Sequence, residues 1–82
     1  MVITMKKTIH MPKLSPEMEQ GVLVAWNKEP GDVIHKGDIL FEVETEKVVS
    51  EVEATEDGIM GCQYAEEGDS VAVNEKVADM EI

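Results

Sequence analysis

The sequence predicts a small all-β domain, a flattened barrel or sandwich with quasi-two-fold symmetry. Turn-forming residues recur too closely for a helix of ordinary length to fit between them. The segments between them are rich in Val and Ile or alternate in polarity, as strands do. The turn residues are Pro12, Pro16, Gly21, Pro30, Gly31, Gly37, Gly58, Gly61 and Gly68. The clearest strand segments are 22–26, 39–45, 48–54 and 77–82. Residues 15–19 favour at most one helical turn, because Pro16 is followed by acidic residues.

An internal repeat indicates two similar half-domains. A shift of 37 residues lays 21–44 onto 58–81 without a gap. The identical positions are Gly21/Gly58, Glu29/Glu66, Gly31/Gly68, Asp32/Asp69 and Glu44/Glu81. Several of these are turn residues, so both copies are expected to turn in the same way. Two β units of this kind bury their apolar faces by packing against each other, which places Lys47 in the link between them.

Composition limits the classes of function. The 82 residues form a single domain, which is too small for a deep catalytic cleft. Eighteen acidic against seven basic residues give a net charge of −11, which disfavours nucleic acid and anionic membranes and favours basic protein partners. No run of about 18 apolar residues or targeting segment is evident, so a cytoplasmic or organelle-matrix location is expected. The lone Cys62 is expected to be a small buried strand residue.

The sequence also predicts how the chain is divided, and it contains none of the common enzyme motifs. Residues 1–8 are assigned to an N-terminal extension and 9–82 to the domain. His10 and His35 lie 25 residues apart without a nucleophile motif, so no catalytic or metal site is expected. Both are interpreted as surface residues, and Trp26 as a half-buried packing residue.

Residues 39–52 predict a hairpin with a two-residue loop at Glu46-Lys47. Opposed residues then have numbers that sum to 93, with Thr45 facing Val48 on the core side. Glu42 faces Glu51 on the other side, a like-charge pair that costs a few tenths of a kcal/mol to about 1 kcal/mol. Because the loop lacks Gly or Asn, a type I turn is expected.

Lys47 is expected to project into solvent from this turn. The carboxylates of Glu44 and Glu46 favour its protonated form, so it is a poor nucleophile without help. A separate enzyme is therefore needed to deprotonate and acylate it. A lysine in such a turn is by itself ordinary, and only its context gives it a function.

That context is a resemblance over residues 9–82 to the lipoyl domains of dihydrolipoamide acyltransferases. It rests on MPKLSPEMEQG at 11–21, Trp26, EPGDVIHKGD at 29–38 and LFEVETEKVVSEVEA at 40–54. The MPKLSP opening is most similar to the pyruvate dehydrogenase branch. The resemblance implies two four-stranded antiparallel sheets, a barrel-sandwich hybrid, and covalent lipoate on Lys47. The family places its lysine in Glu-Thr-Asp-Lys, so Glu46 here replaces the usual Asp.

The resemblance also implies partners. These are a lipoate ligase or octanoyl/lipoyl transferase, a thiamine-diphosphate-dependent 2-oxo-acid dehydrogenase component, an acyltransferase catalytic domain and a dihydrolipoamide dehydrogenase. The chain itself would catalyse no step and, as an isolated domain, would be a monomer. The predicted surface for the ligase and the first component comprises Glu42, Glu44, Thr45, Glu46, Val48 and Glu51.

Two alternatives remain open at this level. Biotin carriers are related but set their lysine in Met-Lys-Met, whereas Glu46 and Val48 flank Lys47 here. An unmodified module could instead dock a basic partner through its acidic side chains. Those side chains are Glu42, Glu44, Glu46, Glu51 and Glu53.

Overall fold

The computed structural model describes residues 5–46 and 48–82, and its regular structure consists of eight strands. They are β1 (Lys6–His10), β2 (Gln20–Trp26), β3 (Val33–Ile34), β4 (Ile39–Thr45), β5 (Val48–Glu53), β6 (Gly58–Gln63), β7 (Ser70–Ala72) and β8 (Lys76–Glu81). One sheet has the order β1-β8-β6-β3 and the other β5-β4-β2-β7. All strand pairs are antiparallel. The predicted all-β fold of two four-stranded sheets is confirmed.

The core lies between the two sheets and draws on both. Its largest fully buried side chains are Phe41, Met11, Leu23, Ile34, Met60, Val43 and Val77. Phe41 and Val43 of β4 both point inward, because every second side chain of a strand faces the same side; Leu40 is buried as well, at the register shift between Ile39 and Phe41. Trp26 is half-buried, with its ring centroid 5.2 Å from that of Phe41, so its interpretation as a packing residue is confirmed. His10 and His35 are both exposed, as expected.

The repeated Asp residues build equivalent turns in the two halves. Asp32 Oδ2 accepts a hydrogen bond from the Glu29 N–H at 2.8 Å, and Asp69 Oδ2 accepts one from the Glu66 N–H at 2.8 Å. In each turn the aspartate N–H also donates to the carbonyl of the glutamate, at 3.0 Å. The same side-chain to backbone bonds thus close both turns, as the repeat predicted.

The first strand starts earlier than the sequence division placed the domain. β1 begins at Lys6, and Lys6, Lys7 and Thr8 pair with Glu81, Met80 and Asp79 of β8. The Lys7 ammonium also lies 2.6 Å from Glu56 Oε2. Residues 6–8 are therefore part of the sheet, although sequence assigned them to an extension. The apolar alternation that marks the other strands is weak here, since β1 carries two lysines at its start.

The expected burial of Cys62 is wrong. Met60 is buried, and strict alternation along β6 would put Cys62 on the same inner side. The pairing of β6 with β8 is irregular between Met60 and Gln63, however, and Cys62 is exposed. An extra residue in one strand reverses the side on which the following side chains lie.

Candidate functional site

The β4–β5 hairpin has the register that its sequence predicted. Glu42 pairs with Glu51, Val43 with Ser50, Glu44 with Val49 and Thr45 with Val48. Strand pairing therefore continues to the last residue on each side of a two-residue loop. This register is favoured because a slip of one residue would turn Val43 out of the core, where it is fully buried.

The conformation of the loop differs from the expected type I turn. Glu46 has a φ of 54°, whereas the first central residue of a type I turn has a φ of about −60°. Positive φ is typical of the primed turns, whose twist matches that of the flanking strands. A charged residue without a favourable αL preference thus adopts the backbone that the strand twist demands. Lys47, the predicted attachment residue, lies outside the described residues.

Most of the predicted recognition residues are accessible at this end of the hairpin. Glu44, Glu46 and Glu51 are exposed, and the Val48 side chain is 62% exposed. Thr45 and Glu42 are half-buried, and Asn27 Nδ2 donates to Glu42 Oε2 at 3.2 Å. The paired glutamates give the outer face of the sheet a concentrated negative charge. Val48 lies on the opposite side of the hairpin, paired with Thr45, where it offers an exposed apolar contact point.

A groove lies on the other side of the hairpin tip, and the sequence did not predict it. Its volume is about 540 Å³. One wall consists of Thr45, Glu46, Val48 and Ser50 from the hairpin. The other wall comes from the segment between β1 and β2 and from the first residue of β2. Its lining residues are Leu14, Ser15, Glu17, Met18, Glu19 and, in β2, Gln20. Those residues belong to the MPKLSPEMEQG stretch at 11–21. That stretch is one of the motifs on which the resemblance rests, and it was the available signal in the sequence for this wall of the groove.

A second polar cluster lies on the outer face of the other sheet. Asp79 is 4% exposed, and its carboxylate accepts hydrogen bonds from the hydroxyls of Tyr64 and Thr8. The Tyr64 hydroxyl, helped by the Lys6 ammonium 3.8 Å away, lowers the pKa of Asp79. The hydrogen bond to Asp79, with burial, raises the pKa of Tyr64. The groups of this cluster thus satisfy one another's hydrogen-bonding capacity.

The part of the chain that the structure describes contains neither a metal-binding cluster nor a membrane-spanning helix. Across residues 5–46 and 48–82, no group of three or more His, Cys, Asp or Glu side chains is arranged to hold a metal ion. Within the same residues, no helix has the length and apolar character needed to cross a bilayer.

Comparison with known proteins decides the family. The family model described as "Biotin-requiring enzyme", which covers biotin and lipoyl domains, matches residues 7–80. The chain belongs to the biotin/lipoyl domain family. Among solved structures, the lipoyl domain of the 2-oxoglutarate dehydrogenase complex from Azotobacter vinelandii is 30% identical, with a TM-score of 0.74. The alignment covers 89% of this chain and 92% of that domain, which confirms the lipoyl-domain interpretation and its fold.

Curated relatives of this lipoyl domain include parts of pyruvate dehydrogenase complexes. The pyruvate dehydrogenase E1 component subunit beta of Rhizobium meliloti is 44% identical over 71 residues, which are 85% of this chain and 15% of that protein. The dihydrolipoyllysine-residue acetyltransferase component from Zymomonas mobilis is 40% identical over 73 residues, or 88% of this chain and 17% of that protein. The chain thus spans less than a fifth of the length of either relative.

Proposed function

We propose that Lys47 carries covalent lipoate and that the chain is the swinging-arm carrier domain of a 2-oxo-acid dehydrogenase complex. The observation that carries this proposal is the pairing of Thr45 with Val48, which leaves Glu46 and Lys47 as the two-residue loop. The residues on either side of Lys47 are exposed. Such a tip fits an enzyme that must surround the lysine in order to acylate it.

The chain contributes to the reaction by positioning the lipoyl group. Bound lipoyl supplies a dithiolane that accepts an acyl group together with two electrons. The domain presents that arm from the end of the β4–β5 hairpin, and tethering turns each encounter with a component into an intramolecular one. The domain itself performs no catalytic step in this proposal. The carrier unit comprises residues 9–82 and also residues 6–8, with which β1 begins.

The proposed partners follow from the relatives' names and from the charge of the chain. A pyruvate dehydrogenase complex is the favoured parent, with its thiamine-dependent first component, acyltransferase and dihydrolipoamide dehydrogenase. The location would be the cytoplasm or the organelle matrix. The ligase and the first component are proposed to contact the hairpin through Glu42, Glu44, Thr45, Glu46, Val48 and Glu51. Negative charge at these positions favours enzymes with basic surfaces around their active sites.

Intact-mass analysis tests the attachment site. The wild type is incubated with ATP, lipoate and a lipoate ligase, alongside Lys47→Arg and the exposed control Lys36→Arg. The wild type and the control should each gain one lipoyl group, and Lys47→Arg should gain none. Modification of Lys47→Arg, or of no protein at all, contradicts the proposal. A parallel incubation with biotin and a biotin ligase separates the alternative, since efficient biotinylation without lipoylation would favour a biotin carrier.

A further inference from the structure

The two halves of the domain differ in one connection, and the difference can be located from hydrogen bonds. The Met11 N–H donates to Glu75 O at 2.8 Å, and the Ala54 N–H donates to Asp38 O at 2.8 Å. Asp38 and Glu75 are equivalent under the 37-residue shift of the repeat. Met11 and Ala54 therefore occupy equivalent places, each just after the strand that opens its half.

The two connections from these equivalent residues to the repeated glycines, Gly21 and Gly58, differ in length. Nine residues, 12–20, separate Met11 from Gly21, whereas three, 55–57, separate Ala54 from Gly58. The first connection thus holds six residues more than the second. We call residues 12–19 the strap. A symmetric fold does not need this addition, because the other half closes without it.

The strap lies beside the hairpin tip. Its residues form one wall of the 540 Å³ groove whose opposite wall includes Thr45, Val48 and Ser50. These three share the side of the hairpin that faces the core further down, at the fully buried Val43. Beyond Val43 the strap, rather than the opposite sheet, faces this side of the hairpin. The six additional residues therefore stand at the end of the molecule that carries Glu46 and Val48.

Met18 fastens the strap in this place. Its side chain is 6% exposed, and its Sδ accepts a hydrogen bond from the Leu14 N–H at 3.2 Å. The methyl group points into a slot above Gly21. A Cβ at Gly21 would lie 3.0 Å from Met18 Cε, 2.5 Å from Val43 Cγ1 and 3.5 Å from Thr45 Cγ2. The missing side chain of Gly21 thus lets the strap and β4 meet.

We propose that Met18 is a positioning residue for the carrier function: it holds the strap against the hairpin, so that both reach the first component as one preformed surface. The inference rests on the proposed function. The lipoyl group is the same on every carrier, so protein surface beside it must distinguish one domain from another. A loose strap would have to be ordered during binding, and that entropy cost raises KM without changing the chemical step.

The test uses Met18→Ala and Met18→Leu, with Met5→Ala as a matched control at a side chain that is 66% exposed. Amide hydrogen exchange is measured first on the unlipoylated domains. In Met18→Ala, exchange at Leu14 and its strap neighbours should accelerate about tenfold, while β4 and β5 keep their protection. Met18→Leu keeps the volume and loses the sulfur acceptor, so it should lie between Met18→Ala and the wild type.

The same proteins, lipoylated and checked by intact mass, then serve as substrates of a pyruvate dehydrogenase first component. Met18→Ala should raise KM about tenfold with kcat within about twofold of the wild type, and Met5→Ala should change neither. Unchanged strap exchange, or faster exchange with unchanged KM, overturns the inference. If Met18→Ala does not fold, Met18→Leu decides by the same two readouts. A wild type that is not lipoylated refutes the function of Lys47, and the exchange experiment still reports on the strap.

Discussion

Gly31 and Gly68 occupy equivalent turns, and each bonds to the half of the chain to which it does not belong. The Gly31 N–H donates to Met60 O at 2.8 Å, and the Gly68 N–H donates to Leu23 O at 2.7 Å. Leu23 and Met60 are themselves related by the 37-residue shift. The two halves are thus interlocked by a symmetric pair of hydrogen bonds. In each turn the glycine N–H finds its acceptor in the other half, so we expect the domain to unfold as one cooperative unit.

Replacing either turn glycine should cost the same free energy. Gly31 and Gly68 have φ values of 93° and 98°, and a Cβ at either would meet nothing within 4 Å. The cost of Gly31→Ala or Gly68→Ala is therefore conformational, about 1–2 kcal/mol of unfolding free energy. Urea denaturation measures it. Asn tolerates positive φ better, so Gly31→Asn should lose less than Gly31→Ala. Clearly unequal losses for the two alanine variants would argue against equivalent turns.

Gly58 should be less replaceable, for a different reason. Its φ is ordinary, but a Cβ there would overlap the backbone carbonyl oxygen of Glu81 and crowd Met80 Cε at 2.8 Å. Backbone cannot move aside as a flexible side chain can, so Gly58→Ala should destabilise the domain by about 3 kcal/mol. The matched comparison is Gly31→Ala, which introduces the same methyl into open space. A loss no larger than that of Gly31→Ala in urea denaturation would contradict the steric argument.

The sequence was most informative where two constraints coincided. In the β4–β5 hairpin, the alternation of Val43 and Thr45 against Glu42 and Glu44 fixes which side is buried. A two-residue loop then leaves a single register, and the structure has it. The repeat likewise predicted equivalent turns at Gly31 and Gly68, because turn residues at matched positions impose matched backbones.

Features without a local signal were missed. The irregular pairing that exposes Cys62 depends on how β6 meets β8, which alternation within one strand cannot show. The positive φ of Glu46 is imposed by the twist of its flanking strands against the residue's own preference. The groove beside the hairpin required knowing that the strap folds back on Thr45. Each of these is a tertiary effect that overrides a local rule.

Tyr64→Phe should change how stability depends on pH. The Tyr64 hydroxyl is the main group that lowers the pKa of Asp79. The ionised Asp79 therefore stabilises the fold above its ordinary pKa of 3.8, and this stabilisation is lost as pH falls through the lowered pKa. The raised pKa of Tyr64 gives stabilisation that is present below 10.0 and is lost as pH rises. Tyr64→Phe should therefore lower Tm at neutral pH and flatten both limbs of its pH profile.

The measurement is thermal unfolding from acid to alkaline pH, and Asp79→Asn is the companion variant. It removes the charge that Tyr64 stabilises, so Tyr64→Phe in that background should have a much smaller effect than in the wild type. Additive losses would show that the two residues act independently.

Variants of Glu46 should separate the shape of the turn from its charge. Because Glu46 has a φ of 54°, Glu46→Gly removes a conformational cost and should keep or slightly raise stability. Glu46→Val should destabilise by about 1–2 kcal/mol, because a β-branched residue resists this backbone. Urea denaturation gives these values. If the carboxylate contributes to recognition, Glu46→Gly should be acylated by the first component more slowly than Glu46→Asp, despite its intact turn. Equal rates for the two variants would remove Glu46 from the recognition surface.

Salt should slow the reaction of the lipoylated domain with the first component if recognition is electrostatic. The net charge is −11, and Glu42, Glu44 and Glu51 lie on one face of the hairpin. Raising the ionic strength from about 0.1 M to 1 M shortens the screening length from about 10 Å to about 3 Å. The association rate, and with it kcat/KM, should then fall by about tenfold or more. Free lipoamide carries no net charge, so its reaction with the same enzyme provides the control for effects of salt on the enzyme itself.

The acidic face can be tested separately from the net charge. Glu42→Gln combined with Glu51→Gln removes two charges and relieves a like-charge pair, so stability should rise by a few tenths of a kcal/mol while kcat/KM falls. Glu66→Gln combined with Glu75→Gln removes two exposed charges that do not line the groove beside the hairpin, and it should change kcat/KM less. If both double variants lose the same amount, overall charge steers the encounter. If neither responds and salt has no effect, complementarity of shape at the hairpin and strap must provide the recognition.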